Sequence, residues 1–214
     1  MCGRFTLRTN LYLLAPDLGQ LQDFGAPWKP RYNIAPTQQI FVVRQGQISQ
    51  MKWGLIPPWA KEAKVGNMMI NARGETIDEK RSFKKPFEKQ RCLIPADGFY
   101  EWQKVGKAKQ PLLFELHDKG IFAFAGLWES NKEFGESCTI ITTSANGTLA
   151  PYHDRMPVIL DRSDWQTWLG ESSSKGQLQS LVKPAPDDLL SVTPVSTAVN
   201  SPKHDGPECV EPLG

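Results

Sequence analysis

Long apolar runs are missing from this chain. The longest, Gly120 to Trp128, falls far short of the roughly 20 residues that a membrane-spanning helix needs. No apolar leader opens the chain either, so no membrane contact is read and a cytoplasmic protein is expected. Cysteine is sparse: the four, at positions 2, 92, 138 and 209, form no CxxC pair. No histidine stands near them at zinc-ligand spacing, which argues against a structural metal site and leaves reduced thiols. Neither a metal nor an organic cofactor is expected. Helices are not regularly interposed between strand-like segments, which argues against a βαβ array. The absence of an internal repeat removes solenoids.

What is present is β-forming sequence cut by turns. Apolar or alternating segments recur at 39–44, 48–54, 91–95, 99–105, 112–117, 121–127, 138–143 and 157–160. Helical patterns are few: 10–18, part of 78–90, 163–169 with Ser163 as its N-cap, and 176–182. Seventeen prolines and seventeen glycines shape the loops, notably at Ala35-Pro36, Pro57-Pro58-Trp59 and Asp97-Gly98. The expectation is an α+β fold: a single compact strand-rich domain with a barrel- or sandwich-like β core and a few peripheral helices. The domain is placed at 1–205 and a short C-terminal tail at 206–214. A monomer is expected.

The net charge of +2 conceals a division. Residues 1–109 carry 18 Lys/Arg against 9 Asp/Glu, or +9, and the remainder 7 against 14, or −7. A basic surface suited to phosphate follows, with the run Lys80, Arg81, Lys84, Lys85, Lys89, Arg91 as its densest part, although such a run is as readily a solvated helix face.

Position two offers specific chemistry. Cys2 is small enough for a methionine aminopeptidase to expose, and a free N-terminal cysteine is a 1,2-aminothiol. Its α-amine titrates at about 7.7 to 8.0, against about 10.4 for lysine, and its thiol near about 8.5. The amine can condense with an aldehyde to an imine, on whose carbon the sulfur then closes a five-membered thiazolidine. The competing reading is an inert, packed cysteine behind a retained Met1. Three polar segments stand among apolar neighbours: Ile70-Asn71-Ala72-Arg73, Phe99-Tyr100-Glu101-Trp102 and Tyr152-His153-Asp154-Arg155. Partial burial of Glu101 would suit it to proton transfer, whereas a strict period of two would turn it to solvent. Of the three histidines, His153 has the most promising setting.

The blocks Met1-Cys2-Gly3-Arg4-Phe5, Arg31-Tyr32-Asn33-Ile34-Ala35-Pro36, Trp53-Gly54-Leu55-Ile56-Pro57, Asn71-Ala72-Arg73, Asp97-Gly98-Phe99-Tyr100-Glu101-Trp102 and His153-Asp154-Arg155-Met156-Pro157 together resemble the SRAP family. These are the SOS response-associated peptidase-like, abasic site processing proteins, and the resemblance runs from residue 1 to about residue 205. It implies a protein of the DNA-damage response that binds single-stranded DNA and captures an abasic site covalently through the N-terminal cysteine. It further implies Cys2 as nucleophile after loss of Met1, Asn71 orienting its amine, Glu101 shuttling protons, and His153 acting on the sugar oxygen, with lyase activity as a corollary. Arg4, Arg73, Arg81 and Arg155 would face DNA, with Pro36, Trp59 and Trp102 as shape and stacking elements. Arginine suits phosphate, and an indole stacks on any base. Most of the seven tryptophans must be core, and Trp59 is the one best placed for exposure. Gly74, where a small or polar side chain fits the pattern, would loosen its loop.

Two other classes stay open: a thiol hydrolase using Cys2 with its own amine or His153 as base, its peptide cleavage limited to Met1 release, and a DNA-binding module without covalent chemistry.

Overall fold

The protein is described by a computed structural model covering residues 2–14 and 28–213. In chain order the strands are β1 (Phe5–Leu7), β2 (Arg31–Ile34), β3 (Gln39–Arg44), β4 (Gln47–Trp53), β5 (Asn71–Arg73), β6 (Arg91–Ala96), β7 (Gly98–Val105), β8 (Ala108–Leu116), β9 (Phe122–Asn131), β10 (Gly135–Ser144), β11 (Arg155–Pro157), β12 (Ile159–Leu160) and β13 (Leu190–Pro194). Three short α-helices accompany them: α1 (Lys84–Lys89), α2 (Trp165–Leu169) and α3 (Lys175–Leu181).

Five strands close a barrel. β4 pairs β3, β3 pairs β6, β6 pairs β9 and β9 pairs β10, all antiparallel, and β10 returns to β4 in parallel. Closure gives each of the five strands a neighbour on both sides, with β4 meeting β10 at Lys52 and Trp53. β10 outruns these partners. Beyond Cys138 its β4 side is taken over by β5, with Ile140 opposite Asn71, and its β9 side by β11, with Ser144 opposite Arg155. This relay delivers the segments around Asn71 and His153 to the same end of the barrel.

A second antiparallel sheet, in the order β13-β8-β7-β1-β2, packs on the barrel through aromatic side chains. Phe5 of β1 meets the edges of Trp53 and Phe124 at 5.2 and 5.8 Å, and Phe99 of β7 meets Phe124 edge-on at 6.0 Å. Each such pair adds about 0.5–1.5 kcal/mol beyond its buried area. Turn residues fix the register of two hairpins. Gln45 and Gly46 both take positive φ (47° and 74°) in the two-residue β3–β4 turn, and Gly106 (φ 60°) opens the β7–β8 turn.

The strand-rich, single-domain expectation holds. β1, β2, β5 and β13 lay outside the expected strands, and the stretch 157–160 divides into β11 and β12. The expected helix 10–18 is a 3-10 turn at Leu11–Leu14, its remainder falling outside the described residues. Ser163 is not an N-cap. A 3-10 turn at Arg162–Asp164 precedes α2, capped by the Asp161 carboxylate, which accepts from the Ser163 N–H. α3 instead carries a capping box between Ser174 and Gln177. In the segment expected as a short C-terminal tail, Cys209 is fully buried and Val195 bridges Pro212; just before it, Asp205 accepts the N–H groups of Tyr32 and Asn33, both at 2.7 Å.

Candidate functional site

The site is built from the N-terminal strand outward. Asp97, fully buried between β6 and β7, anchors β1 by accepting from the Thr6 hydroxyl and from the backbone N–H groups of Arg8 and Thr9, each at 2.6 Å. Arg8 in turn pairs with both Asp97 and Glu115. At the other end of β1, Arg4 donates to Asn33 Oδ1 (2.7 Å) and to the Val199 carbonyl (2.8 Å), and the Tyr100 N–H bonds the Arg4 carbonyl. Cys2 is thus placed by clamps on both sides of the strand that follows it.

Cys2 itself has no exposed surface. Burial, reinforced by the negative charge of Glu101, pushes its thiol far above the ordinary range, so the sulfur is held as S–H. Asn71, at the head of β5, donates from Nδ2 to the Cys2 carbonyl at 2.9 Å. Its Oδ1 is buried and, among the described residues, has no hydrogen-bond partner. An amide acceptor left empty costs about 1–3 kcal/mol, and native proteins seldom tolerate this without a reason.

Glu101 is 5% exposed, so it faces inward rather than toward solvent. It lines a cleft of about 460 Å³ together with Arg4, Trp102, Lys109, His153 and Asn200, a size within the usual range for a ligand pocket. The His153 side chain is 29% exposed. Its Nδ1 lies 2.9 Å from the Arg155 N–H and 2.8 Å from Asp154 Oδ1. A neutral ring that accepts the Arg155 N–H at Nδ1 carries its proton on Nε2. Trp102 is oriented by its Nε1–H bond to Asn200 Oδ1 (2.6 Å) and stands 5.7 Å from the Arg4 guanidinium carbon.

The remaining expected DNA contacts divide. Trp59, 47% exposed, carries the exposed Arg81 guanidinium over its ring at 5.2 Å. Pro36 is half-buried in a turn whose next residue, Thr37, takes φ 72°. Arg73 is exposed at the end of β5. Arg155, by contrast, is committed to a two-armed pair with Glu75 (2.5 and 2.8 Å) and to the Thr142 carbonyl (2.8 Å). Arg91 leaves the basic run altogether. It is buried and donates to the carbonyls of Phe87, Glu88, Trp168 and Gly170, closing the ends of α1 and α2. Gly74 tightens rather than loosens its loop, because a Cβ there would stand 2.3 Å from Val182 Cγ1. Lys109 and Asn200 line the cleft but escaped sequence reading, the first as one lysine among many, the second because it sits near the expected tail.

The fold is a barrel with a second sheet across it, in which a buried Cys2, an amide, a carboxylate and an imidazole are gathered near one end of the barrel. The chain belongs to the SOS response associated peptidase (SRAP) family, which it matches over residues 1–202. It is similar to the abasic site processing protein YoqW of Bacillus subtilis (strain 168), with 43% identity covering 99% of each chain. The abasic site processing protein HMCES of Gallus gallus is 33% identical, over 87% of this chain and 67% of that one. Among solved structures, a protein from Bacteroides thetaiotaomicron superposes with a TM-score of 0.89 at 27% identity, covering 99% of this chain and 100% of the other. Among the described residues, no helix is long and apolar enough to cross a membrane.

Proposed function

We propose that this protein processes abasic sites in single-stranded DNA by covalent capture at Cys2 once Met1 has been removed. The observation that carries this reading is the unpartnered Asn71 Oδ1 beside a residue whose carbonyl Asn71 already holds. A freed Cys2 amine would supply the missing donor and be aimed by it. The names of the relatives, abasic site processing proteins from bacteria and vertebrates, agree with it.

The chemistry balances without a cofactor. His153, with its proton on Nε2, donates to the sugar ring oxygen and favours the open aldehyde. The Cys2 amine attacks C1′ and water departs, leaving an imine. Sγ then adds to the same carbon while the thiol proton passes to nitrogen, with Glu101 as carrier. One C–N and one C–S bond form, and one water is lost. The same imine acidifies the C2′ proton, and its removal with departure of the 3′-phosphate would give lyase activity. Burial of the thiol favours this amine-first order over a hydrolase that begins from thiolate. Arg4, Arg73, Arg81, Pro36, Trp59 and Trp102 would line the strand's path, with the protein acting as a cytoplasmic monomer.

The test is incubation with single-stranded DNA carrying one abasic site, followed by denaturing electrophoresis. A slow-migrating adduct is expected from wild type, and none from Cys2→Ala. Equal adduct from both would overturn the proposed bond, and intact mass should show Met1 absent from every chain that crosslinks. Repeated cleavage of an added peptide would favour the hydrolase instead.

A further inference from the structure

The β7–β8 hairpin outgrows its own sheet. β1 pairs with β7 only at Gly98 and Phe99, and β13 ends with Pro194 opposite Leu112 of β8. Residues 103–109 therefore form a two-stranded arm with no strand on either edge, and every one of them is exposed. Such an arm contributes no core; Val105 at its tip is 55% exposed. It carries three lysines and no acid: Lys104, Lys107 and Lys109. Lys104 and Lys109 lie directly opposite each other across the strand pair, so their side chains share a face. Like charges in that position destabilise a hairpin. Among the described residues none of the three has an ion-pair partner, whereas Lys64 and Lys175 do. The same face continues inward to Trp102, opposite Pro111, and Lys109 itself lines the cleft.

A cost borne by an exposed pair, aligned with a cleft and left unneutralised, points to an anionic partner outside the protein. From this we infer that the β7–β8 arm is a phosphate rail: Lys104, Lys107 and Lys109 grip successive phosphodiesters of the DNA strand leaving the cleft. Lysine suits this task because it binds phosphate as a point charge without reading sequence. The inference rests on the single-stranded-DNA reading above but not on the covalent bond.

It is tested with an intact single-stranded oligonucleotide, which cannot crosslink, by measuring equilibrium binding across a salt series. Each phosphate contact on a single strand contributes about 0.7 to the slope of log K against log salt. The variant K104Q/K107Q/K109Q should therefore lose about 2 units of slope and bind more weakly at low salt, with K104R/K107R/K109R restoring both. An unchanged slope in the glutamine variant, with or without weaker binding, overturns the rail. Failure of wild type to bind the oligonucleotide at all would instead refute the single-stranded-DNA reading. Because residues 103–109 are exposed, no variant should melt below wild type, and the glutamine variant, relieved of the opposed charges, should melt at or slightly above it, which separates loss of binding from loss of fold.

Discussion

Replacing Asp97 by alanine should unfold the N-terminal strand's attachment before it disturbs anything else. The carboxylate is fully buried and takes three bonds of 2.6 Å, from the Thr6 hydroxyl and the N–H groups of Arg8 and Thr9, besides the Arg8 guanidinium at 3.2 Å. Truncation strands two backbone donors and a hydroxyl, at about 1–3 kcal/mol for each that stays dry. Arg8 keeps Glu115 and is partly exposed, so water recovers part of the loss. The total should be about 3–5 kcal/mol, the range for breaking a buried pair from one side. Urea unfolding of wild type, Asp97→Ala and Asp97→Asn measures it, with asparagine intermediate because it keeps an acceptor but not the charge. β1 leads directly back to Cys2, so under native conditions the alanine variant should also crosslink abasic DNA more slowly. A destabilisation below about 1 kcal/mol would mean that the network is solvated or replaceable, and the argument that it positions Cys2 would fail.

Gly54 (φ 129°) and Gly66 lie back to back, and a Cβ on Gly54 would stand 2.6 Å from the Gly66 carbonyl oxygen. Gly54→Ala should therefore cost about 1–3 kcal/mol in thermal or urea unfolding and shift the 55–69 loop that carries Trp59. Arg155 holds the Glu75 carboxyl below its usual value. The stability gained is present above about pH 4.3, the unfolded value, and is lost as pH falls through the lower folded one. Because the Glu75 side chain is 51% exposed, Glu75→Gln should cost under about 1 kcal/mol at pH 7, with the gap to wild type closing below about pH 4 in a urea-unfolding series. Cys2 in chains that retain Met1 should resist iodoacetamide until unfolded. Glu101→Gln should raise that rate only modestly, since burial outweighs the carboxylate as the cause of the raised thiol.

The barrel strands were legible where period-two alternation or continuous apolar sequence ran long enough to register, as at Gln39–Arg44 and Arg91–Ala96. The strands that sequence reading passed over, β1, β2, β5 and β13, are three to five residues long. They owe their state to partners distant in the chain, such as Asn71 opposite Ile140, and such pairing leaves no local mark. Inward placement was readable at Glu101, an ionisable group amid apolar and aromatic neighbours that the structure buries. Availability was not: Arg155 and Arg91 read as free cations until Glu75 and the four helix-end carbonyls appear beside them. Residues 206–214 read as a tail because they are polar and Pro/Gly-rich, yet the stretch leading into them is docked: Asn33 donates to the carbonyls of Val199, Ser201 and His204, and Asp205 accepts from the Tyr32 and Asn33 N–H groups.

That docking explains why the cleft includes a residue so late in the chain. Asn33 couples Arg4 to the 199–204 segment, and from that segment Asn200 fixes the Trp102 indole. The arginine two residues beyond Cys2 and the ring at the base of the arm are therefore set by one hydrogen-bonded unit rather than by two independent loops. Buried amide groups of this kind tolerate little displacement, because each lost bond leaves a polar atom without water. The geometry of the cleft beside Cys2 is thus tied to the C-terminal segment as well as to β1. Asn200→Ala, which removes the indole's acceptor and leaves the Asn33 carbonyl bonds in place, should loosen Trp102 and slow capture without shifting the melting temperature by more than a few degrees. A large loss of stability would mean that Asn200 holds the segment itself, and wild-type crosslinking rates would mean that the orientation of Trp102 does not matter.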